Sequence, residues 1–141
     1  MESEEVTHGE AETEAAGERL GRRLAPDDVV YLVGDLGSGK TCFARGLARG
    51  AGALPREVAS PTFAICNEYA GAGGAIVLRH LDLYRLKDSV EELEALGLPG
   101  VAAGAPVAVE WPRAAIRTLL PPTVEVSFDV LPAGGRRIRT R

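Results

Sequence analysis

Residues 29–41 constrain this chain more than any other segment. Val29-Val30-Tyr31-Leu32-Val33 is an unbroken apolar run, and it feeds directly into Gly34-Asp35-Leu36-Gly37-Ser38-Gly39-Lys40-Thr41. An apolar run of this kind, without alternation, suits a strand covered on both faces. The segment after it matches G-x-x-x-x-G-K-[ST] in full and predicts a helix from about Lys40 to Ala51. Strand, glycine loop and helix start in that order make an anion cradle. Glycines such as Gly37 and Gly39, on either side of Ser38, let successive N–H groups turn inward at a phosphate. The positive end of the following helix adds to that field. Lys40 is placed to reach the β- and γ-phosphates of a nucleotide, and the Thr41 hydroxyl to ligate Mg²⁺. Cys42 would offer its main-chain N–H to the α-phosphate.

Around this unit the pattern alternates between strands and helices. Residues 1–9 are polar and read as a flexible acidic start, leaving residues 10–141 as a single domain. Ala16, Leu20 and Leu24 recur on one face of a helix expected from Glu12 to Leu24. Thr62 to Tyr69 and Ala75 to Leu83 read as strands with a turn at residues 71–74. Asp88, three residues before Glu91, resembles a capping box for a helix carrying Val90, Leu93 and Leu96, which Gly97 and Pro99 stop. Pro106 to Trp111 is a short apolar strand. Val124 to Val130 alternates, and Gly134-Gly135 turns the chain into a last strand near Ile138. The fold class that follows is α/β, a P-loop NTPase domain with a mixed, mainly parallel central sheet flanked by helices.

At 141 residues the chain carries a formal charge of −4, which does not suit a protein that coats itself in nucleic acid. Glutamates crowd the start, and Arg136, Arg137, Arg139 and Arg141 crowd the end. These are either two solvated ends or a basic end that meets an anion. Cys42 and Cys66 have no metal-ligand spacing and form no disulfide framework. No segment reads as a signal peptide or a membrane span, and a cytoplasmic location is expected.

A phosphate loop alone does not define a reaction. Guanine-reading N-K-x-D is absent, so ATP is the expected nucleotide. Hydrolysis needs carboxylates near the γ-phosphate. Asp82, in His80-Leu81-Asp82-Leu83-Tyr84-Arg85, and Glu110, before Trp111-Pro112, both end apolar strands. Carboxyl ends of strands form the ligand edge of an open α/β sheet. For each acid the alternative is a solvated strand-end group. Ser60-Pro61-Thr62-Phe63 offers two hydroxyls to sense a γ-phosphate, or else simple turn chemistry. A small kinase and a nucleotide-gated interaction module are the alternatives to an ATPase.

Together these elements resemble the TsaE (YjeE) ATPases of bacterial tRNA threonylcarbamoyladenosine biosynthesis. The resemblance rests on Gly34 to Thr41, Arg45-Gly46, Ser60 to Phe63, Glu68-Tyr69, His80 to Arg85, Glu91-Glu92-Leu93, Leu96-Gly97 and Glu110-Trp111-Pro112. It implies an ATPase that acts on a TsaD–TsaB transferase pair, which modifies the adenosine next to the anticodon in tRNAs reading codons that begin with A. It also implies that Thr41 and Glu110 hold Mg²⁺, that Asp82 is required for hydrolysis, and that Trp111 lies beside the nucleotide. Glu10 and Thr13 occupy the family's E-x-x-T position near the nucleoside, and the Arg136 region resembles its basic C-terminal strand.

Overall fold

The computed structural model describes residues 2–63 and 66–141, with the side chains of residues 55–63 and of Val101 left outside the description. Eight strands form one sheet in the order β1-β8-β7-β2-β6-β5-β4-β3. In chain order they are β1 Ser3–Thr7, β2 Val29–Val33, β3 Ala53–Phe63, β4 Cys66–Gly71, β5 Ile76–Asp82, β6 Val107–Glu110, β7 Val124–Val130 and β8 Arg136–Thr140. The helices are α1 Glu10–Gly21, α2 Lys40–Gly50, α3 Val90–Ala95 and α4 Ala114–Leu119. The sheet is mixed. Its centre, β7-β2-β6-β5, is parallel, and both flanks are antiparallel.

The apolar run of β2 fills both faces, as its lack of alternation requires. Val30 and Leu32 join α1 and α2 on one side with Phe43, Leu47, Ala108 and Val126. Val29 and Tyr31 join α3 and α4 on the other with Leu93, Val107, Val109 and Ile116. The period-2 alternation of a strand therefore assigns residues of β5 and β6 to faces. Leu78 and Ala108 lie on the α1/α2 side, so His80, Asp82 and Glu110 follow them there.

α1 packs chiefly on α2, and glycine makes the contact. A Cβ on Gly17 would sit 2.2 Å from the Phe43 carbonyl oxygen, and one on Gly21 2.3 Å from that of Leu47. Reciprocally, a Cβ on Gly46 would sit 2.0 Å from the Glu14 oxygen and one on Gly50 2.2 Å from that of Glu18. A four-residue step along α1 matches a four-residue step along α2 in the same direction, so the helices run parallel. Their N-terminal ends consequently lie side by side.

Several elements depart from the sequence reading. Residues 3–7, expected to be flexible, form β1 because β8 offers a free edge: Ser3 pairs with Thr140 and Thr7 with Arg136. Arg137 Nε lies 3.0 Å from Glu4 Oε1, so part of the basic end meets the acidic start. α1 begins at Glu10 rather than Glu12 and ends at Gly21 rather than Leu24. The strand expected from Thr62 to Tyr69 is divided between the end of β3 and β4 Cys66–Gly71, and β3 has no counterpart among the expected strands over residues 53–61. Pro55 and Pro61 interrupt its pattern, and it occupies the sheet edge where proline is tolerated. Asp88 does not cap α3. Ser89 is the N-cap, accepting from the Glu92 N–H at 3.3 Å, while Asp88 accepts from the Ala115 N–H of α4 at 2.7 Å.

The glycine contact predicts that Gly46→Ala, despite its better helix propensity, costs about 2 kcal/mol or more by forcing the backbones apart. Chemical denaturation should show the loss. The same exchange at exposed Gly73, whose Cβ meets nothing within 4 Å, carries only the strain of its positive φ.

Candidate functional site

The strand register assembles the site. Leu32 of β2 pairs with Glu110 of β6, and Glu110 pairs with Asp82 of β5. Two carboxylates thus stand side by side at the carboxyl ends of parallel strands, next to the strand that enters the glycine loop. The Leu83 N–H donates to the Glu110 carbonyl at 3.2 Å and extends that register by one residue. Asp82 is exposed, and its Oδ1 accepts the Tyr84 N–H at 3.0 Å. Glu110 is only 7% exposed. His80 Nε2 lies 2.6 Å from Glu110 Oε2.

The loop between β2 and α2 turns through Gly37 at φ 77° and Gly39 at φ 109°, both in the left-handed region that glycine favours. The Ser38 N–H closes a turn onto the Asp35 carbonyl at 3.1 Å. The Phe43 N–H then takes the Gly39 carbonyl at 3.0 Å, starting the helix ladder. Main-chain N–H groups of Lys40, Thr41 and Cys42 belong to the first turn and have no acceptor within the helix. These residues line a cleft of about 310 Å³ together with Glu10, Thr13, Leu36, Gly37, Gly39, Glu110 and Arg136, with Gly9 and Gly134.

Lys40 is 4% exposed, and its Nζ donates to the Gly34 carbonyl at 2.5 Å. It also sits 3.5 Å above the Trp111 ring, a close cation–π contact. Trp111 adopts φ 60°, a strained conformation for a bulky residue. Its ring packs on Tyr84 with centroids 4.8 Å apart. Arg113 secures this corner by donating to the carbonyls of Leu83, Tyr84 and Leu86.

Burial pushes the Lys40 ammonium below its ordinary value, and the carboxylates of Glu110, Asp82 and Asp35 oppose that shift. Burial by itself would raise Glu110. The His80 hydrogen bond and the charges of His80 and Lys40 outweigh it, and the net shift is downward. The buried Ser38 hydroxyl has no hydrogen-bond partner. The site thus holds a cation whose acceptor is an uncharged carbonyl, together with first-turn N–H donors, beside a cleft. A polyphosphate fits those donors.

Among the described residues, no group of three or more His, Cys, Asp or Glu side chains is arranged to hold a metal ion. Mg²⁺ does not need such a group, since it binds through one or two protein oxygens together with phosphate and water. Thr41 and Glu110, both on the cleft wall, fit that pattern.

Of the residues singled out from sequence, Glu10, Thr13, Gly37, Gly39, Lys40, Thr41, Cys42 and Glu110 line the cleft together. Ser38 lies buried in the loop, while Asp82 adjoins Glu110 and Trp111 adjoins Lys40. Thr13 is held by a 2.7 Å bond between its hydroxyl and that of Thr7. The side chains of Ser60 and Thr62 lie outside the described residues. Three residues at or beside the cleft have partners that local spacing does not show. Arg136 reaches the cleft from β8 and donates to the Gly37 carbonyl at 3.3 Å, whereas its neighbours pair with Glu4 and Asp129. His80 and Arg113 act through partners 30 and 27 to 30 positions away in the chain.

The fold and site define a class: an α/β protein whose glycine loop, first-helix start and a strand-end carboxylate, that of Glu110, converge on one cleft. A family model described as threonylcarbamoyl adenosine biosynthesis protein TsaE matches residues 7–138. The chain belongs to the TsaE family, and so to tRNA threonylcarbamoyladenosine biosynthesis. It is 38% identical over 134 residues to the TsaE protein of Treponema pallidum, covering 94% of this chain and 96% of that one. It is 36% identical over 126 residues to that of Rickettsia felis, covering 89% and 72%. The Bacillus subtilis TsaE protein is 45% identical over 101 residues, covering 71% of this chain and 60% of that one. A crystal structure of Bacillus subtilis YdiB superposes with a TM-score of 0.73 at 27% identity, over 99% of this chain and 84% of that one. No described helix is long and apolar enough to cross a membrane.

The lowered Glu110 carboxyl gives a pH dependence with a definite sign. A depressed carboxylate stabilises the fold fully above its ordinary value of 4.5 and loses that contribution as pH falls through its lower folded value. Glu110→Gln should therefore flatten the acid limb of the stability curve below about pH 4.5. Denaturation midpoints taken at successive pH values would reveal it.

Proposed function

We propose that the cleft binds ATP with Mg²⁺ and that the protein hydrolyses it in support of a TsaD–TsaB transferase pair. The observation that carries this reading is the convergence of buried Lys40, the open first turn of α2 and Glu110 on one cleft of nucleotide-compatible size. Relatives in the same family are described as tRNA threonylcarbamoyladenosine biosynthesis proteins, which supports placing the ATPase beside that modification.

Each residue then has a chemical role. The first-turn N–H groups of α2 hold phosphate oxygens, and the helix N-terminus adds its positive field. Lys40 exchanges an uncharged carbonyl and a ring face for phosphate oxygens, which accept a charge-assisted hydrogen bond. Thr41 and Glu110 hold Mg²⁺, which when bound neutralises phosphate charge. Asp82 is exposed beside Glu110, with one oxygen occupied by the Tyr84 N–H. Its other oxygen orients a water and takes a proton from it. Arg136, which lines the cleft beside the glycine loop, adds a second cation, and Glu10 and Thr13 contact the nucleoside. Thr41, Asp82 and Glu110 are supplied by three separate elements, so hydrolysis depends on how closely the cleft is held. Slow turnover alone and faster turnover with partners follow.

Lys40→Ala should abolish binding of a fluorescent ATP analogue. Asp82→Ala should keep most of that affinity while lowering phosphate release by about 100-fold or more. Phosphate release should rise when TsaD and TsaB are added to the unaltered protein. Normal hydrolysis by the Asp82 and Glu110 variants in that mixture would overturn the assignments. Labelled phosphate appearing on an acceptor instead of in solution would indicate a kinase.

A further inference from the structure

The glycine loop and the two strand-end acids leave one buried polar residue of the site without a role. His80 is 9% exposed and sits on the same face of β5 as Asp82, one strand from Glu110. Its register partner is Ala108, two residues before Glu110. The imidazole therefore reaches diagonally across the β5–β6 pair, and the small Ala108 side chain leaves the path clear. Nε2 ends 2.6 Å from Glu110 Oε2. A carboxylate oxygen only accepts, so Nε2 carries the proton and donates it. With Oε2 engaged, Oε1 is left for the cleft wall that Glu110 lines.

A glutamate side chain has three rotatable bonds, and one oxygen anchored by a rigid ring removes most of that freedom. Main-chain bonds at Leu83 and the ladder to Leu32 fix the backbone of Glu110; the carboxylate itself has His80. We propose that His80 is a positioning residue, whose Nε2–H anchors one oxygen of Glu110 so that the other is presented to the metal of the bound nucleotide. This rests on the reading of Glu110 as a Mg²⁺ ligand. Carboxylates and imidazoles that orient a metal ligand in this way are worth about 10- to 100-fold in metal affinity.

The test is a Mg²⁺ titration of the full chain with a non-hydrolysable ATP analogue, followed by calorimetry, alongside the analogue's affinity without metal. Unaltered protein should bind the analogue more tightly with Mg²⁺. His80→Leu should raise the Mg²⁺ concentration required by about 10- to 100-fold while leaving metal-free affinity unchanged. His80→Gln, which keeps a donor near the Nε2 position, should recover most of the loss. A second readout needs no variant. With only His8 and His80 in the chain, the imidazole nitrogens are separable by ¹⁵N NMR. The His80 Nε2–H signal should shift when Mg²⁺ is added to the analogue complex, and the His8 signals should not.

Unchanged Mg²⁺ dependence in His80→Leu, an equal loss of metal-free affinity, or a His80 signal indifferent to Mg²⁺ would each overturn the proposal. If His80→Leu does not fold, His80→Gln and the NMR signal decide it. Absence of any Mg²⁺ effect in the unaltered protein would instead overturn the reading of Glu110, which distinguishes the two failures.

Discussion

The molecule depends on the backbone contact between α1 and α2. Gly17 and Gly21 on one helix and Gly46 and Gly50 on the other bring carbonyl oxygens to distances at which no Cβ fits. Close approach of this kind gains many weak contacts at once, Cα–H···O among them. Because the helices run parallel, it also brings Gly9 to Thr13 level with Gly39 to Cys42. One wall of the cleft is therefore set by packing that lies four to eight residues further along each helix, at Gly17 and Gly21 beyond Thr13 and at Gly46 and Gly50 beyond Cys42.

The opposite wall comes from the parallel register of β2, β6 and β5. A shift of one residue would turn His80, Asp82 and Glu110 towards α3 and α4 and leave the cleft without the carboxylate its sheet side supplies. The apolar alternation around them prevents this. Ala108 and Leu78 are buried against α2, while Val107, Val109 and Leu81 are buried against α3 and α4. The core thereby specifies where the charges fall. Burial of the parallel centre between two helical layers protects that register, and the antiparallel flank at β8 adds Arg136 to the cleft.

Charge in the site is held in a restrained state. Lys40 is buried with its ammonium on a carbonyl and a ring face and with carboxylates near it but none hydrogen-bonded to it, while Glu110 is ionised with His80 at one oxygen. Neither arrangement satisfies its charge as a phosphate or a cation would. Low-dielectric surroundings make each of these groups worth more to an incoming ligand than the same group in water. Trp111 contributes through its strained backbone, which lays the indole beneath Lys40, and Arg113 ties the neighbouring loop in place.

Much of this was legible in the sequence. The β2–loop–α2 unit, β6, β7 and β8 and the residues Lys40, Thr41, Asp82 and Glu110 all follow from local pattern, because apolar runs and glycine spacing act within a few residues. The pairing of β1 with β8, the edge strand β3, the cap at Ser89 and the short helix α4 did not, since each depends on a partner distant in the chain. Asp88 illustrates the difference: its spacing suits a cap, but the Ala115 N–H stands closer in space. Sequence alone determined that a glycine loop of the G-x-x-x-x-G-K-[ST] pattern follows a buried strand and which acids end the strands. Only the tertiary structure decided that Arg136, among four C-terminal arginines, enters the cleft, and that His80 holds Glu110. A side chain's partner is set by packing across the sheet, and that distance is not written in spacing.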